Sequence, residues 1–269
     1  ISTYQADKYW IAEGSKGLRS IQRKGSNSFE ALNEPIILDG PYSNSAFDIV
    51  CKNDKVYMII GGKDLLNGKR FDKGGYILTY DYDKWSFIDP KEAQKKLNLP
   101  RNPRDYTSIA VTTDDSNDEI VYASSMGDGV IQYKNGTPVQ SYNEKNAFKE
   151  TAGGYGSGYC YIDGLAFDKN GNLWMTSSEV NHAVLVLDKA GAWHRLDIEQ
   201  LRGVYTINDI LITSTNDKWI YVPRNTPKLV MIPNSESLDE VSSYEFTTLI
   251  DTDGKELTPS NYTCVAEDK

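Results

Sequence analysis

Residues 161–196 read YIDGLAFDKNGNLWMTSSEVNHAVLVLDKAGAWHRL, and this stretch decides the fold. Apolar residues alternate over Asp163–Phe167, Leu173–Ser177, Ala183–Leu187 and Trp193–Leu196. Alternation with period two marks strands that bury one face. Asp168-Lys-Asn-Gly-Asn172 and Asp188-Lys-Ala-Gly191 separate the first from the second strand and the third from the fourth. Such glycines supply the positive φ that tight hairpins need. The stretch is therefore a run of four antiparallel strands.

The same order recurs outward in both directions. Phe47–Cys51, Val56–Ile60, Tyr76–Tyr80 and Trp85–Ile88 form one copy, with a Gly- and Lys-rich insertion over Gly61–Gly75. Ser108–Val111, Ile120–Ser124, Val130–Tyr133 and Val139–Tyr142 form another, and Ile207–Ile212, Trp219–Val222, Leu229–Ile232 and Tyr244–Leu249 a further one. Aligning Ile49, Ile109, Leu165 and Ile210 gives spacings of roughly 45–60 residues, the range of propeller blades once insertions are allowed. The expected fold is all-β, a β-propeller of about five four-stranded antiparallel blades. One domain spans 1–269, with blades near 46–90, 105–143, 160–198 and 205–250 and an N-terminal blade over 4–34 completed by 260–269.

That completion is argued from the two ends. Tyr9–Ala12, Gly17–Ile21 and Phe29 read as second, third and fourth strands lacking a first, while Asn261–Lys269 reads as a first strand with nothing after it. Pairing the C-terminal strand into the N-terminal blade closes the ring and removes exposed sheet edges. The alternative is a chain cut from a larger propeller. The start at Ile1 without Met and the end at Lys269 read as a processed or excised piece.

Composition excludes several classes. A formal charge of -9 repels phosphate backbones, so nucleic acid is not an expected partner. No apolar stretch approaches the roughly 20 residues of a membrane span. Cys51, Cys160 and Cys264 have no metal-ligand spacing and read as buried free thiols, one disulfide being the alternative. Asp89-Pro90-Lys-Glu92 carries the cap, the N1 proline and the N3 acid of a short surface helix that Pro100 stops. Thr151–Gly158 lacks the Lys-Ser/Thr ending of a phosphate loop and reads as a connector.

Catalytic signatures are missing. His182 and His194 have no third ligand at a usable spacing, and no nucleophile or zinc motif occurs. Asp168–Asn172 with Glu179 mimics a calcium loop, yet Leu173 stands where that loop needs glycine, which favours a turn. Asp114–Asp118 reads likewise as a solvated turn. No catalytic residue, metal or cofactor is assigned, and the protein is expected not to be an enzyme.

The first strand of each blade lines a propeller's channel. Two residues before the aligned aliphatics stand Phe47, Thr107, Asp163, Asn208 and Thr263, and one residue before them Asp48, Ser108, Gly164, Asp209 and Cys264. Asp48, Thr107, Asp163, Asn208 and Asp209 are the candidate ligand contacts at the channel mouth, able to hydrogen-bond a polar molecule such as a sugar. The plainer alternative is channel polarity filled by water. Asp48, Asp163 and Asp209 are also the only acids a glycosidase could use there. Trp10, Trp174 and Trp219 occupy corresponding second-strand positions and are expected between blades, whereas Trp85 and Trp193 start outer strands.

Four segments carry a family resemblance: YWIAEGSKGLRSIQ (Tyr9–Gln22), Asp105–Gly136, Gly164–Leu196 with its FDKNGNLW, and NYTCVAEDK (Asn261–Lys269). Together they resemble the propeller region of PorZ-type proteins of Bacteroidota, close to the two-component regulator propellers. The resemblance implies an exported protein, periplasmic or at the outer membrane and cell surface, that binds or assembles within type IX secretion. Implied partners are other proteins of a secretion or signalling assembly, and an oligosaccharide or lipopolysaccharide. The regulator branch implies an alternative, an extracytoplasmic oligosaccharide-sensing module of a hybrid two-component regulator.

Overall fold

Hairpin turns set the architecture. Asn53 and Asp54 adopt φ of 51° and 61°, and Asn135 adopts 47° just before Gly136. Asn and Asp tolerate this left-handed backbone, whose twist matches that of the strands it joins. The computed structural model describes residues 2–5, 7–12, 18–34, 40–65, 67–153, 158–239, 241–258 and 260–268.

Antiparallel strands in chain order form the sheets. The first holds β1 (Ser2–Gln5), β2 (Lys8–Ala12), β3 (Leu18–Arg23) and β4 (Phe29–Ala31). The second holds β5 (Ala46–Lys52), β6 (Lys55–Ile60), β7 (Ile77–Asp81) and β8 (Lys84–Ile88). The third contains β9 (Tyr106–Thr113), β10 (Glu119–Gly127), β11 (Gly129–Lys134) and β12 (Thr137–Tyr142). The fourth contains β13 (Cys160–Phe167), β14 (Leu173–Ser177), β15 (Val184–Leu187) and β16 (Trp193–Leu196). The end of β10 runs past β9 and pairs Met126 with Tyr161 and Gly127 with Cys160, joining third and fourth sheets at one end. The fifth holds β17 (Ile210–Ile212), β18 (Lys218–Val222), β19 (Lys228–Ile232) and β20 (Tyr244–Phe246). A small hairpin of β21 (Leu249–Ile250) and β22 (Glu256–Leu257) follows, where the sequence reading had one outer strand continuing to Leu249.

Each core layer lies between consecutive sheets. Tyr57, Ile59 and Ile77 of the second pack on Ile109, Ala123 and Ile131 of the third. Ala110, Ile120 and Tyr122 of the third pack on Leu165, Met175 and Leu185 of the fourth. Trp174, Val184 and Val186 of the fourth pack on Ile210, Ile220 and Val230 of the fifth. This is radial stacking of sheets, in which β9, β10, β13 and β14 bury residues on both faces; Trp174 lies between blades as expected.

α1 (Pro90–Leu97) connects second and third sheets. Asp89 accepts a hydrogen bond from the Lys91 amide at 2.9 Å, and Asn98 ends the helix at φ 52°. Ala93 is buried in the layer between the two sheets. Replacing Asp89 with alanine should cost about 1 kcal/mol, read as a lower midpoint in urea with an unchanged slope.

The ends depart from expectation. Tyr9–Ala12 has both edges taken, by β1 on one side and β3 on the other, so the N-terminal sheet supplies its own first strand. Residues 261–268 form no strand, and the expected pairing of Asn261–Lys269 with Tyr9–Ala12 does not occur among the described residues. They lie against the fifth sheet instead. The Tyr262 amide donates to the Pro223 carbonyl at 3.0 Å, and Tyr262 and Val265 pack on Tyr221, Leu229, Trp219 and Phe246. Apolar burial drives this: the outer face of the fifth sheet would otherwise be bare. The thiols also need correction. All three are free, and Cys160 is buried, but Cys51 and Cys264 are exposed, because Cys51 lies near the outer end of β5 beside its turn and Cys264 lies in a segment that forms no strand. The connector expected over Thr151–Gly158 lies partly outside the described residues, at 154–157.

Candidate functional site

The aligned strand positions meet around a common axis. Asp48 Oδ2 accepts from the Ile109 amide at 3.1 Å and from Ser108 Oγ at 3.3 Å. Ser108 Oγ in turn accepts from the Leu165 amide at 3.2 Å. One blade's side chain thus satisfies the next blade's backbone, and the relay repeats. At the following step Gly164 sits where a Cβ would lie 2.7 Å from the Ile210 amide nitrogen and 2.8 Å from Asp209 Oδ1. Only glycine allows that approach. The column through Asp48, Ser108, Gly164 and Asp209 is therefore a physical row of neighbours.

The column above it is closed from within. Lys63, only 2% exposed, forms an ion pair with Asp163 and donates to the Ile207 carbonyl at 3.0 Å. The other Asp163 oxygen accepts from Ser178 Oγ, which also accepts from the Ile207 amide at 2.9 Å. Lys63 comes from the second blade, Asp163 from the fourth and Ile207 from the entry to the fifth. A single side chain thus ties three blades across the axis.

Lys63 reaches the axis on a strap, the Gly61–Gly75 insertion. Lys63 bridges Arg70 within it, and Asp64 and Lys69 exchange a backbone hydrogen bond of 2.7 Å. Its base is anchored on Asp105, which accepts from the amides of Asp72 and Lys73 at 3.1 and 2.9 Å. Arg70 Nη1 donates to the Tyr159 hydroxyl at 2.8 Å. Gly61, at φ 140°, lets the strap leave β6 so close that a Cβ would fall 2.2 Å from the Tyr106 amide nitrogen.

The residues singled out in the sequence fall into two sets. Thr107 is buried, donates to the Ile162 carbonyl and lies 3.0 Å from Ser124 Oγ. Asn208 is buried, donates from Nδ2 to the Tyr221 hydroxyl at 2.9 Å and from its amide to the Tyr221 carbonyl at 3.0 Å. With Asp163, these polar groups are engaged inside the protein. Asp48 and Asp209 are only half-buried. Lys63 was missed; its signal was a lone cation just after Gly61-Gly62 at the inner end of a strand.

Burial raises the Asp48 carboxyl above its usual range. Crowding by protein atoms, and then the charge of Asp48, push Asp209 up to about 7. A carboxyl raised on folding binds more protons in the native state than in the unfolded chain, whose value is about 3.9. Its contribution to stability is therefore complete below about pH 4 and is lost as the pH climbs toward 7. Asp209→Asn keeps the acceptor for the Ile210 amide, which bonds Asp209 Oδ1 at 2.9 Å. The variant should melt higher than wild type at pH 8 and almost together with it at pH 4, measured by calorimetry across that range.

Other candidates resolve into structure. Asp168 accepts from the amides of Asn170 and Asn172, from Asn172 Nδ2 and from the Trp174 indole, all at 2.8–2.9 Å. Both carboxylate oxygens are occupied by N–H donors, which makes a clasped turn rather than a calcium loop. Asp114 similarly accepts from Ser116 and Asp118 amides. His182 contacts Glu150 and His194 contacts Asp188. Among the described residues no group of three or more His, Cys, Asp or Glu side chains could hold a metal. Nor, among the described residues, is any helix long and apolar enough to cross a membrane.

Radially stacked four-stranded sheets with their first strands around one axis define a β-propeller. No protein-family model matches the chain, and no curated protein matches it by sequence. Among solved structures it is similar to PorZ, a surface component of the type IX secretion system of Porphyromonas gingivalis, with a TM-score of 0.71 and 19% identity over 95% of this chain and 34% of that one. The chain thus spans about a third of PorZ. It also matches, at a TM-score of 0.43 and 13% identity, the extracellular domain of BT4673 of B. thetaiotaomicron, assigned to a hybrid two component system (94% of this chain, 37% of that one). The Malassezia sympodialis allergen Mala s 1 matches at 0.45 and 12% identity (91% and 77%).

Proposed function

We propose that this chain is a non-enzymatic binding or assembly propeller of an exported protein, working at the periplasm or cell surface in the manner of PorZ. The whole chain is read as one domain of about five blades. Its partners are other proteins of a secretion or signalling assembly, with an oligosaccharide or lipopolysaccharide as the small-molecule class. The observation that carries the reading is the Lys63–Asp163–Ser178 network, in which a buried acid and a buried cation from different blades satisfy each other and leave neither free for a substrate. The overall similarity to PorZ supports it.

Asp48 and Asp209, the two candidate contacts that are only half-buried, are read as facing the channel, where a polar ligand would meet them first. The test is titration calorimetry of the purified chain against lipopolysaccharide micelles and neutral oligosaccharides, with product analysis by chromatography. Expected is binding without turnover, weakened in Asp48→Asn and Asp209→Asn. Glycan cleavage abolished by either substitution would make the protein a hydrolase and overturn the reading.

A further inference from the structure

The outer edge of the fourth sheet opens into a cleft of about 680 Å³. Residues 193–197 line one side of it, and Leu238, Asp239, Val241 and Ser242 line the other. Successive residues of a strand face opposite ways, so a cleft that touches every residue of such a run follows the strand's edge and does not lie on one face. The cleft between the second and third sheets differs: of β8 it touches only Ser86 and Ile88, which share a face. β16 is the last strand of its sheet and pairs with β15 alone. At the turn between them the Asp188 amide donates to the Ala192 carbonyl at 2.9 Å, which fixes the residues that turn inward. Bonded and non-bonded pairs alternate along an antiparallel ladder, so Val186–His194 and Val184–Leu196 are bonded while Leu187–Trp193 and Leu185–Arg195 are not. The N–H and C=O groups of Trp193 and Arg195 therefore point away from β15 along the cleft, and among the described residues no backbone hydrogen bond meets them.

The opposite wall belongs to the connection of residues 233–243 between β19 and β20. Leu238 and Val241 pack on the core between the fourth and fifth sheets, and Ser243 Oγ donates to Gln200 Oε1 at 2.9 Å. The wall is thus held in place by the fold, and among the described residues it makes no backbone hydrogen bond to β16. Leu196 and His194 share the face that looks toward it. Leu196 belongs to the same core as Leu238 and Val241, and His194 lies 2.9 Å from Asp188 and 3.7 Å from Asp239. The Asp239 side chain is 88% exposed. An unpaired strand edge in a preformed cleft, apolar at one point and acidic at the next, is a place for another strand.

We propose that an extended peptide segment of another protein adds to the edge of β16 as a further strand, between β16 and the 233–243 wall. Main-chain bonds to Trp193 and Arg195 supply affinity, and side chains on the wall side supply selectivity. Residues two apart share a face, so the segment carries an apolar residue beside Leu196 and Val241 and, two places along, a basic residue beside His194 and Asp239. The carboxylates of Asp188 and Asp239 select that positive charge. A basic segment also suits a chain of net charge -9, which repels a second copy of itself. The inference goes beyond the channel reading and uses none of its residues.

Amide hydrogen exchange followed by NMR on the full chain tests this, with the end-capped peptide Thr-Thr-Val-Thr-Lys-Thr-Thr as probe. Without peptide the His194 and Leu196 amides should exchange slowly and those of Trp193 and Arg195 fast. Saturating peptide should slow Trp193 and Arg195 at least about tenfold. Arg195→Pro removes an outward N–H and leaves the ladder to β15 intact, as proline on an edge strand does. It should weaken binding about tenfold. If that variant fails to fold, the same peptide N-methylated at its threonines, which keeps the side chains but lacks the donors, should give the wild type no protection. Asp239→Lys should reverse the charge preference, so that the peptide with glutamate in place of lysine binds better. Exchange at Trp193 and Arg195 that peptide leaves unmoved would overturn the proposal, as would equal protection by the N-methylated peptide. Protection that appears without peptide and grows with protein concentration would assign the edge to a second copy and overturn it too. No readout involves a glycan, Asp48 or Asp209, so failure here is distinct from failure of the functional reading.

Discussion

Lys63→Ala should lower stability by about 3–5 kcal/mol, the cost of leaving a buried carboxylate without its partner. Asp163 is 4% exposed and keeps only its contacts with Ser178 once the ammonium is gone. The Ile207 carbonyl loses its Lys63 donor in the same step. Three blades lose one shared tie, so the effect reaches beyond the local site. The loss should shrink as the pH falls, because the orphaned carboxyl can take up a proton and become neutral. Replacing both partners, Lys63→Met with Asp163→Leu, should recover much of the stability, since a packed apolar pair carries no desolvation cost. Urea denaturation of Lys63→Ala, of Asp163→Leu alone and of the double variant at pH 5 and pH 8 reads all of this. Single variants that lose less than about 1 kcal/mol would mean that water reaches the pair, as at a surface ion pair.

Trp174→Ala is the second large loss, about 3–5 kcal/mol. The indole is 1% exposed between the fourth and fifth sheets. It does three things at once: it fills the layer, donates from Nε1 to Asp168 at 2.9 Å and lies 4.6 Å from the buried Lys218 ammonium. Truncation leaves a cavity, an Asp168 oxygen without its donor and a buried cation facing empty space. Trp174→Phe should recover most of the packing but not the Asp168 bond, placing it between wild type and alanine. Denaturation midpoints should therefore rank wild type, phenylalanine, alanine. A phenylalanine variant as unstable as alanine would show that the Asp168 clasp, rather than burial, dominates.

The contrast between these two residues explains what could be read in advance. Trp174 belongs to a pattern that is local: its strand, its turn and its side of the sheet follow from FDKNGNLW and period-two alternation. Alignment of four such patterns also put Asp48, Ser108, Gly164 and Asp209 in one column, and the relay from Asp48 through Ser108 to the Leu165 amide shows that they are neighbours. That step succeeded because propeller repeats turn local register into long-range position. Lys63 follows no repeat. It sits in the Gly61–Gly75 insertion, and nothing in its surroundings in sequence points to a carboxylate one hundred residues away.

The ends of the chain show the same limit from another side. NYTCVAEDK has the alternation of a first strand, yet its hydrogen-bonding edge is not what the structure uses; Tyr262 and Val265 bury their side chains on the fifth sheet. Period-two patterning specifies a face, whereas the choice of partner edge depends on which edges are free, and Ser2–Gln5 already occupies that of β2. Cys51 has a similar history. It reads as a core thiol because it alternates with Ile49, and it is exposed because it lies near the outer end of β5 beside its turn.

By itself, then, the sequence determined most strands of the second to fifth sheets, their order within each sheet, the four-strand repeat and the column Asp48, Ser108, Gly164 and Asp209, because these depend on alternation and turn chemistry within a few residues of one another. Tertiary structure alone decided that Lys63 pairs with Asp163, that Thr107, Asp163 and Asn208 are spent on internal hydrogen bonds while Asp48 and Asp209 stay half-buried, and which sheet faces are covered. Those outcomes depend on the burial of charge and apolar surface between segments far apart in the chain, a quantity that exists only once the sheets are stacked.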